Sequence, residues 1–334
     1  GDSIYIKKGN VDILIDSGYS YDGKTVNTIL TQYCTDKRLD VVMASHSDGD
    51  HIDGFANALS SIENISFMVD YGGTPTGNVG NIRNKFVPEG MHYHSAIDSV
   101  NQTNGASKVY YITKDLYFEV LNTGNYITND DSGAGNGESL VVIFYYKDFT
   151  FFTGGDLTTT SEKKLLNNEI LPEVTLYKSH HHGSNGSNSQ EFLDTINPKA
   201  VAISAAKAGS YGKEPTAPNP SNTTNLNGTS GHPAAGAIER IYKAPNISQN
   251  LNVYWNAVNG TMKFTTYGEN DFTFEGSTPL KGYYDLTLTN GVGVWNEEIQ
   301  DFENRVTGEE NKKLHETKVF QFRKYDQYLP AWYK

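Results

Sequence analysis

Residues 39–51 read LDVVMASHSDGDH, a largely apolar run that leads directly into a cluster of histidine and aspartate. The segment Leu39–Ser45 has the length of one β-strand and predicts a buried strand. In the loop that follows, Gly49 permits a sharp turn, so that alternate side chains can converge on one point. The loop carries four side chains that can bind a metal: His46, Asp48, Asp50 and His51. Imidazole with carboxylate suits zinc, manganese or iron, and we predict a metal site rather than a solvated polar loop.

Three further segments carry candidate ligands, and two of them follow predicted strands. The sequence GGD at 154–156 follows a predicted strand at Phe149–Thr153 and ends in Asp156. The sequence HHHGS at 180–184 follows a predicted strand at Val174–Lys178. His232 lies in a long loop, between glycine and proline. Taken singly, each segment has a simpler interpretation, namely a loop-capping aspartate, a disordered histidine tract and a histidine that packs a turn.

The composition limits the class of protein. The chain has 334 residues, of which 37% are hydrophobic and 12% aromatic, so it can bury a large core. Its formal net charge of -12 counts against tight, sequence-independent binding of nucleic acid, which needs a basic surface. No apolar run approaches the roughly 20 residues that span a bilayer, and the single cysteine, Cys34, excludes an intrachain disulfide. The abundance of Asn, Thr, Ser and Tyr favours an extracytoplasmic or secreted protein.

The order of elements predicts a fold of the α+β class. Strands alternate only in part with helices, which predicts mixed β-sheets flanked by helices. A hairpin is predicted at 252–267 around Asn259-Gly260, a strong two-residue turn signal. We predict irregular structure for two segments, the polar stretch 74–108 and the proline-rich stretch 206–233. Beyond about residue 270 a β-rich stretch gives way to a charged helix near 297–318, so we predict a main domain over 1–270 and a C-terminal extension of unknown role over 271–334.

Together these motifs resemble the metallo-β-lactamase superfamily over roughly residues 1–270. The strand and turn DILIDSG at 12–18 match the opening strand of that family. The sequence SHSDGDHIDG at 45–54 looks like the variant in which aspartate replaces the second histidine of the usual His-x-His-x-Asp-His. With ESLVV at 138–142 and GHP at 231–233, it is similar to the ComEC-like hydrolase domain, and phosphorylcholine esterases share the triple histidine. The resemblance implies an αββα sandwich, two mixed sheets with helices outside, followed by the C-terminal extension.

The resemblance also implies two adjacent metal sites bridged by Asp156. Metal 1 would take three ligands: His46, Asp48 and Asp156. Metal 2 would take four: Asp50, His51, Asp156 and His181. His181 is chosen because it matches the first histidine of the family's His-His-Gly-Ser. The usual third histidine of site 1 is missing, since Gly135-Asn136-Gly137 precedes ESL. We expect two divalent ions, with Zn²⁺ foremost. Mn²⁺ is also suited, because the carboxylate of Asp48 is a harder ligand than the histidine it replaces in site 1.

Two adjacent cations define the expected chemistry. They lower the pKa of a bridging water toward neutrality and accept the negative charge that develops on the substrate. Asp50 would orient the hydroxide, and His182 or His232 would donate a proton to the leaving group or bind phosphate. We therefore predict a metal-dependent phosphodiesterase or nuclease that acts on nucleic acid or a small phosphoester. The alternatives are hydrolysis of another small ester, such as a phosphorylcholine ester, lactone or lactam, and a degenerate binding domain without catalysis.

Overall fold

The computed structural model describes residues 1–128, 130–205, 232–250 and 252–277, and the short stretches 285–287, 293–296, 301–304 and 319–321. The chain forms two compact units. Unit 1 comprises residues 1–145 and 154–169, and unit 2 comprises residues 146–153 and 170–334. The domain boundary expected at residue 270 stays a prediction.

Unit 1 is built from parallel and antiparallel strands with helices between them. Its strands are β1 (Ile4–Lys8), β2 (Val11–Ile15), β3 (Arg38–Ala44), β4 (Asn64–Asp70), β5 (His92–Ser95), β6 (Val109–Tyr111), β7 (Leu116–Val120) and β8 (Val142–Tyr146). Its helices are α1 (Asp22–Tyr33), α2 (Gly49–Ile52), α3 (Phe55–Ala58), α4 (Gly77–Phe86), α5 (Ala96–Asn101) and α6 (Thr159–Asn168). Strands β1 to β5 form one sheet in sequential order, and β6, β7 and β8 are neighbours in that order.

The five-stranded sheet brings the ends of distant segments together. Strand β1 is antiparallel to β2, whereas β2, β3, β4 and β5 run parallel. Every residue from Val41 to Ala44 is buried, as expected for a strand covered on both faces. Ile15 pairs with Met43, so β2 and β3 finish at the same edge of the sheet. Asp16 and Ser45, the next residues of each strand, therefore start from neighbouring positions.

The core of unit 1 holds this edge in place. Leu14 and Val42 of the sheet belong to one apolar cluster with Leu30 of α1 and Phe55 of α3, all buried. Each such side chain contributes roughly 1.5–3 kcal/mol by leaving water. Elsewhere in unit 1, Phe67 of β4 packs its ring 4.9 Å from that of Tyr110 in β6. The predicted mixed sheets flanked by helices are confirmed.

Unit 2 contains a parallel sheet and several short strands. Its strands are β9 (Phe149–Thr153), β10 (Leu176–Lys178), β11 (Ala200–Ile203), β12 (Val253–Trp255), β13 (Met262–Thr265), β14 (Thr273–Gly276), β15 (Asp285–Thr287), β16 (Gly293–Asn296), β17 (Asp301–Asn304) and β18 (Val319–Gln321). Its helices are α7 (Gln190–Ile196), α8 (Ala235–Lys243), α9 (Pro245–Asn250) and α10 (Asn256–Asn259). Strands β9 to β12 are neighbours in sequential order and run parallel.

The hairpin expected at 252–267 is wrong. Strand β12 pairs in parallel with β11, and β13 pairs with β14. The turn between β12 and β13 is the short helix α10, and the side-chain oxygen of Asn259 accepts a hydrogen bond from the backbone of Trp255 at 3.0 Å. Because Val253, Tyr254 and Trp255 are fully buried in the sheet, tertiary pairing outweighs the local Asn-Gly signal.

Two other expectations about local structure need correction. Residues 74–108 are not irregular throughout, since they contain α4, β5 and α5. The buried residues Val79, Ile82 and Phe86 of α4 recur at helical spacing, a signal that the polar residues between them obscure. The charged helix expected near 297–318 lies mostly outside the described residues, and its described part, Asp301–Asn304, is a strand. The proline-rich stretch 206–231 also lies outside them.

Candidate metal centre

The centre lies in unit 1, at the edge where β2 and β3 end. Ser45 and His46 directly follow β3, and the short helix α2 then turns the chain back. The first turn of α2 is fixed by hydrogen bonds from the backbone of His51 and Ile52 to the carbonyl of Asp48, at 3.0 and 3.2 Å. The cluster at 46–51 is thus partly helical, and the helical turn, rather than simple alternation in a loop, brings His51 toward the strand end.

His51 is the best-anchored side chain of the centre. Its ring is fully buried, and Nδ1 lies 2.7 Å from Oδ2 of Asp16. Nε2 faces the other way and lies 3.2 Å from Oδ1 of Asp156. Asp16 is itself held by Ser45, whose backbone N–H and hydroxyl donate to its two oxygens at 2.8 and 2.7 Å. A histidine held by a carboxylate on one nitrogen presents the other nitrogen in the manner typical of metal ligands.

The charges around His51 favour a cation. Burial alone would lower the pKa of the imidazole, but Asp156 and Asp16 raise it to about 10. The two carboxylates therefore stabilise positive charge at this position. The same negative charges would favour a divalent metal at Nε2 of His51.

His46 lies beside His51, with ring centroids 4.2 Å apart. It is fully buried, and Nε2 lies 3.5 Å from Asp48 and 3.9 Å from Asp156, measured to Oδ2 in each case. Asp48 is the exposed member, with 51% of its side chain accessible. The side-chain interaction with His46 lowers the pKa of Asp48 and keeps it ionised. Asp48 thus supplies a charged oxygen on the solvent side of the two imidazoles.

Asp156 approaches from the chain after β9, within the part that belongs to unit 1. Its side chain is buried, and its backbone N–H donates to the hydroxyl of Ser139 at 3.2 Å. Gly155 has a positive φ of 51°, and a Cβ there would lie 2.6 Å from that of Ser45. Only glycine fits this approach, which explains the sequence GGD at 154–156.

Asp2 is a member of the centre that the sequence patterns did not reveal. It is 2% exposed, and ligand atoms of Asp2, His51 and Asp156 all lie within 4.8 Å of one another. Its backbone N–H donates to the carbonyl of Asp50 at 3.0 Å, and its carbonyl accepts from Gly18 at 2.7 Å. An isolated aspartate before a strand carries no local signal of this kind. The side chain of Asp50 is 21% exposed, and its roles as ligand and orienting group stay predictions.

The donors collected in unit 1 fit the metal that the motifs imply. They are imidazole nitrogens and carboxylate oxygens, the ligand types that suit Zn²⁺ and Mn²⁺. Three carboxylates, those of Asp2, Asp16 and Asp156, are each nearly excluded from water around two imidazoles. Buried carboxylates are stable when they coordinate a metal or are paired. These residues of unit 1 therefore have the charge and donor set of a cation-binding centre.

Unit 2 carries the second group of candidate residues, on the turn after β10. The turn at His180–Gly183 holds His181 and His182 in the left-handed region, with φ of 47° and 53°. His180 is fully buried and packs its ring 5.0 Å from Phe192 and 5.1 Å from Tyr177. Its ring environment is that of a core histidine, and the choice of His181 as a metal ligand stays a prediction.

His181, His182 and His232 lie together within unit 2. The ring of His232 is 4.8 Å from His181 and 5.9 Å from His182. His182 is buried, and its Nδ1 lies 2.7 Å from the carbonyl oxygen of Ser204. Because a carbonyl can only accept, Nδ1 carries a proton, and the neutral ring keeps its lone pair on Nε2.

An arginine on α8 fixes the chain that follows the histidine turn. Arg240 donates to the backbone carbonyls of Asn185, Ser187 and Asn188 at 3.0, 2.9 and 2.7 Å. The amide of Asn188 donates in turn to the carbonyl of His180 at 3.0 Å. The left-handed turn is therefore held from outside by charge-assisted hydrogen bonds. Neither residue was singled out from the sequence, because the side chains of both donate to backbone carbonyls, which leave no side-chain pattern.

Comparison with known proteins gives structural matches alone, since no protein-family model and no curated protein matches the chain. It is similar to the metallo-β-lactamase fold protein YhfI of Bacillus subtilis, with 10% identity over 60% of this chain and 76% of that one, and a TM-score of 0.38. It is also similar to a diphosphatase of the PhnP family, with 10% identity, coverage of 60% and 71%, and a TM-score of 0.31. A third similar structure is the short form of human tRNase Z, with 13% identity over 60% of this chain and 83% of that one, and a TM-score of 0.34.

None of the described helices combines the length and the apolar character that a membrane crossing requires.

Proposed function

We propose that the chain is a metal-dependent hydrolase and, more specifically, a phosphodiesterase. The observation that carries the proposal is His51, which is buried between Asp16 and Asp156 with Nδ1 anchored by Asp16 and Nε2 directed at Asp156. This arrangement is costly to bury unless a cation completes it. We keep Zn²⁺ as the expected metal and Mn²⁺ as the second, and an extracytoplasmic location stays a prediction from composition.

Each residue of the metal centre in unit 1 has a role in the proposed reaction. His46, Asp48, His51 and Asp156 would hold the metals, with Asp2 and Asp50 beside them. When bound, the metals supply a hydroxide nucleophile and stabilise the charge on the phosphoryl oxygens. Asp16 and Ser45 keep the His51 ring in one orientation, so that no rearrangement is needed during the reaction. The imidazoles and the carboxylates of Asp2, Asp16 and Asp156 are buried, whereas Asp48 is exposed to solvent.

Among the histidines of unit 2, one is a candidate metal ligand and another a candidate proton donor. The family motif selects His181 as the ligand. His182, however, donates from Nδ1 to the carbonyl of Ser204, which orients its ring and keeps the lone pair on Nε2, the atom that would bind a metal. We propose His182 as the ligand on this physical ground. His232 then remains as the group that donates a proton to the leaving oxygen or binds the phosphate.

A small substrate with a cationic group is the second candidate, within the same class of reaction. Tyr19 and Tyr21 are stacked with ring centroids 5.4 Å apart, and they are 38% and 71% exposed. Burial and the nearby charge of Asp50 raise the pKa of Tyr19, so the aromatic pair lies in a negative field. Exposed aromatic rings beside carboxylates attract quaternary ammonium groups and repel polyphosphate. This surface favours a choline-like phosphodiester over a long nucleic acid.

A substrate panel tests the proposal. The chain, loaded with Zn²⁺ or Mn²⁺, is assayed with bis-p-nitrophenyl phosphate, single-stranded DNA, p-nitrophenyl phosphorylcholine and nitrocefin. We expect turnover of the phosphodiesters and its loss in His51→Ala. Turnover of nitrocefin alone would contradict a phosphodiesterase. The absence of both turnover and bound metal would contradict a hydrolase altogether and favour the degenerate binding domain.

The aromatic pair provides the arm that separates the two substrate classes. Tyr21→Ala should raise the KM for p-nitrophenyl phosphorylcholine several-fold and leave that for bis-p-nitrophenyl phosphate unchanged. The matched control is Tyr267→Ala in unit 2, where the side chain is 73% exposed. Equal effects of Tyr21→Ala on both substrates would remove the cation-binding role.

A further inference from the structure

Asn136 lies in the segment Gly135-Asn136-Gly137, where the resemblance to the superfamily implies a third histidine. It begins a 3-10 turn, Asn136–Glu138, directly before Ser139 and Leu140. The side-chain oxygen of Asn136 is buried and accepts no hydrogen bond from the part of the chain that the structure describes. A buried amide oxygen is unfavourable unless it acquires a partner, so its position needs an explanation.

The backbone of Asn136 is tied to Asp156 of the metal centre. The hydroxyl of Ser139 donates to the carbonyl of Asn136 at 2.9 Å and accepts from the backbone N–H of Asp156 at 3.2 Å. One hydroxyl therefore joins the two chain segments. Any movement of Asn136 away from Asp156 would break one of these hydrogen bonds.

The same segment is also tied to the histidine motif. The backbone N–H and the hydroxyl of Ser47 donate to the carbonyl of Ala134 at 3.0 and 2.6 Å. The backbone N–H of Leu140 donates to the carbonyl of Ser45 at 2.7 Å. The stretch 134–140 thus runs along residues 45–47, with His46 between the two points of attachment. Nε2 of His46 is, like the oxygen of Asn136, a buried atom with no hydrogen bond from the described residues.

We propose that the side-chain oxygen of Asn136 replaces the missing histidine as a ligand in metal site 1, beside His46, Asp48 and Asp156. The inference rests on the proposed metal-dependent function and names a ligand of that same centre. An amide oxygen is a harder donor than imidazole, and it suits Mn²⁺ better than it suits Zn²⁺. With two oxygen donors in place of two histidines, Asp48 and Asn136, site 1 is expected to discriminate against Zn²⁺ relative to a histidine-rich site.

The shape of the turn does not depend on this side chain. Glu138 accepts from the backbone N–H of Gly135 at 2.9 Å. Asn125 donates to the carbonyl of Gly137 at 3.0 Å and to Glu138 at 2.8 Å. These contacts hold the turn from the side of Asn125, and none of them uses the side-chain oxygen of Asn136.

Three variants of the full chain test the inference by calorimetric titration of Zn²⁺ and Mn²⁺ into metal-free protein, together with the metal content after dialysis. Asn136→Ala should weaken the binding of one of the two ions about tenfold or more and leave the other unchanged. Asn136→His should raise the ratio of Zn²⁺ to Mn²⁺ affinity at that site about tenfold. Asn125→Ala, which loosens the turn but keeps the amide of Asn136, should leave this ratio unchanged. Thermal unfolding of each metal-free variant verifies that it is folded.

The outcomes separate this inference from the proposed function. Wild-type affinities in both Asn136 variants would overturn the inference while the metal centre stands. An equal loss in Asn125→Ala would also overturn it, since the effect would then come from the shape of the turn. A wild-type chain that binds neither metal would overturn the centre itself and the inference with it.

Discussion

The two groups of histidines, in unit 1 and in unit 2, are held by different kinds of partner. In unit 1 a buried carboxylate, Asp16, accepts from His51. In unit 2 a neutral carbonyl, that of Ser204, accepts from His182. A carboxylate both orients a ring and adds negative charge, whereas a carbonyl orients the ring alone. We therefore expect the carboxylate in unit 1 to favour a cation, and the carbonyl in unit 2 to fix only the orientation of the His182 ring.

The surroundings of the two groups agree with this division. Around His51 the nearest charged groups are the carboxylates Asp16 and Asp156, which favour a cation. Directly after the turn of His181 and His182, the backbone carbonyls of Asn185 and Ser187 accept hydrogen bonds from Arg240, a cation. Substitution of the carboxylates around His51 should therefore lower metal affinity. Substitution of the residues around the turn of His181 and His182 should change the binding of one ion or the stability of the turn.

The largest effect is expected from His182, the residue of unit 2 that we propose as a metal ligand. His182→Ala should weaken the binding of one ion by more than the 10–100-fold typical of an orienting residue. His181→Ala should retain both ions, because its ring then serves substrate or packing. Metal content after dialysis measures the difference, and His92→Ala, at an exposed position, is the control. The reverse result, one ion lost in His181→Ala alone, would support the ligand that the family motif selects.

A smaller effect is expected from the orienting residue in unit 1. Asp16→Asn keeps the size of the side chain and tolerates the positive φ of 56° at this position. It removes the charge that anchors His51, so metal affinity should fall roughly 10–100-fold. Calorimetric titration measures this change, with Asp148→Asn at an exposed turn as the control. Unchanged affinity would show that Asp16 has no influence on the metal.

The smallest effect is expected from the clamp on the histidine turn. Arg240→Ala removes hydrogen bonds from a charged donor, and since the side chain is half-buried the free energy of unfolding should fall by about 1–2 kcal/mol. Lys243→Ala on the same helix removes only an exposed pair with Glu239, about 0.3–0.5 kcal/mol. Denaturant titration compares the two. Equal losses would contradict the clamp.

The failures of local prediction have a common cause. The Asn-Gly turn at 259–260 predicted a hairpin, but β12 is fully buried beside β11 and pairs there instead. The helix α4 was hidden because its apolar residues are separated by polar ones. Both errors come from judging a segment by its own residues, whereas the burial that decides its structure is supplied by neighbours distant in sequence.

The sequence by itself determined the types of ligand and their places at strand ends. An apolar strand that leads into His46 and His51, and a tight glycine turn before Asp156, are local patterns that depend on residues close together in the chain. Only the tertiary structure decided that Asp2 joins the centre, that Asp16 anchors His51, and that His182 is fixed by Ser204. Those contacts join residues far apart in sequence, and they exist because parallel strands bring their ends to one edge and burial leaves each polar group few partners.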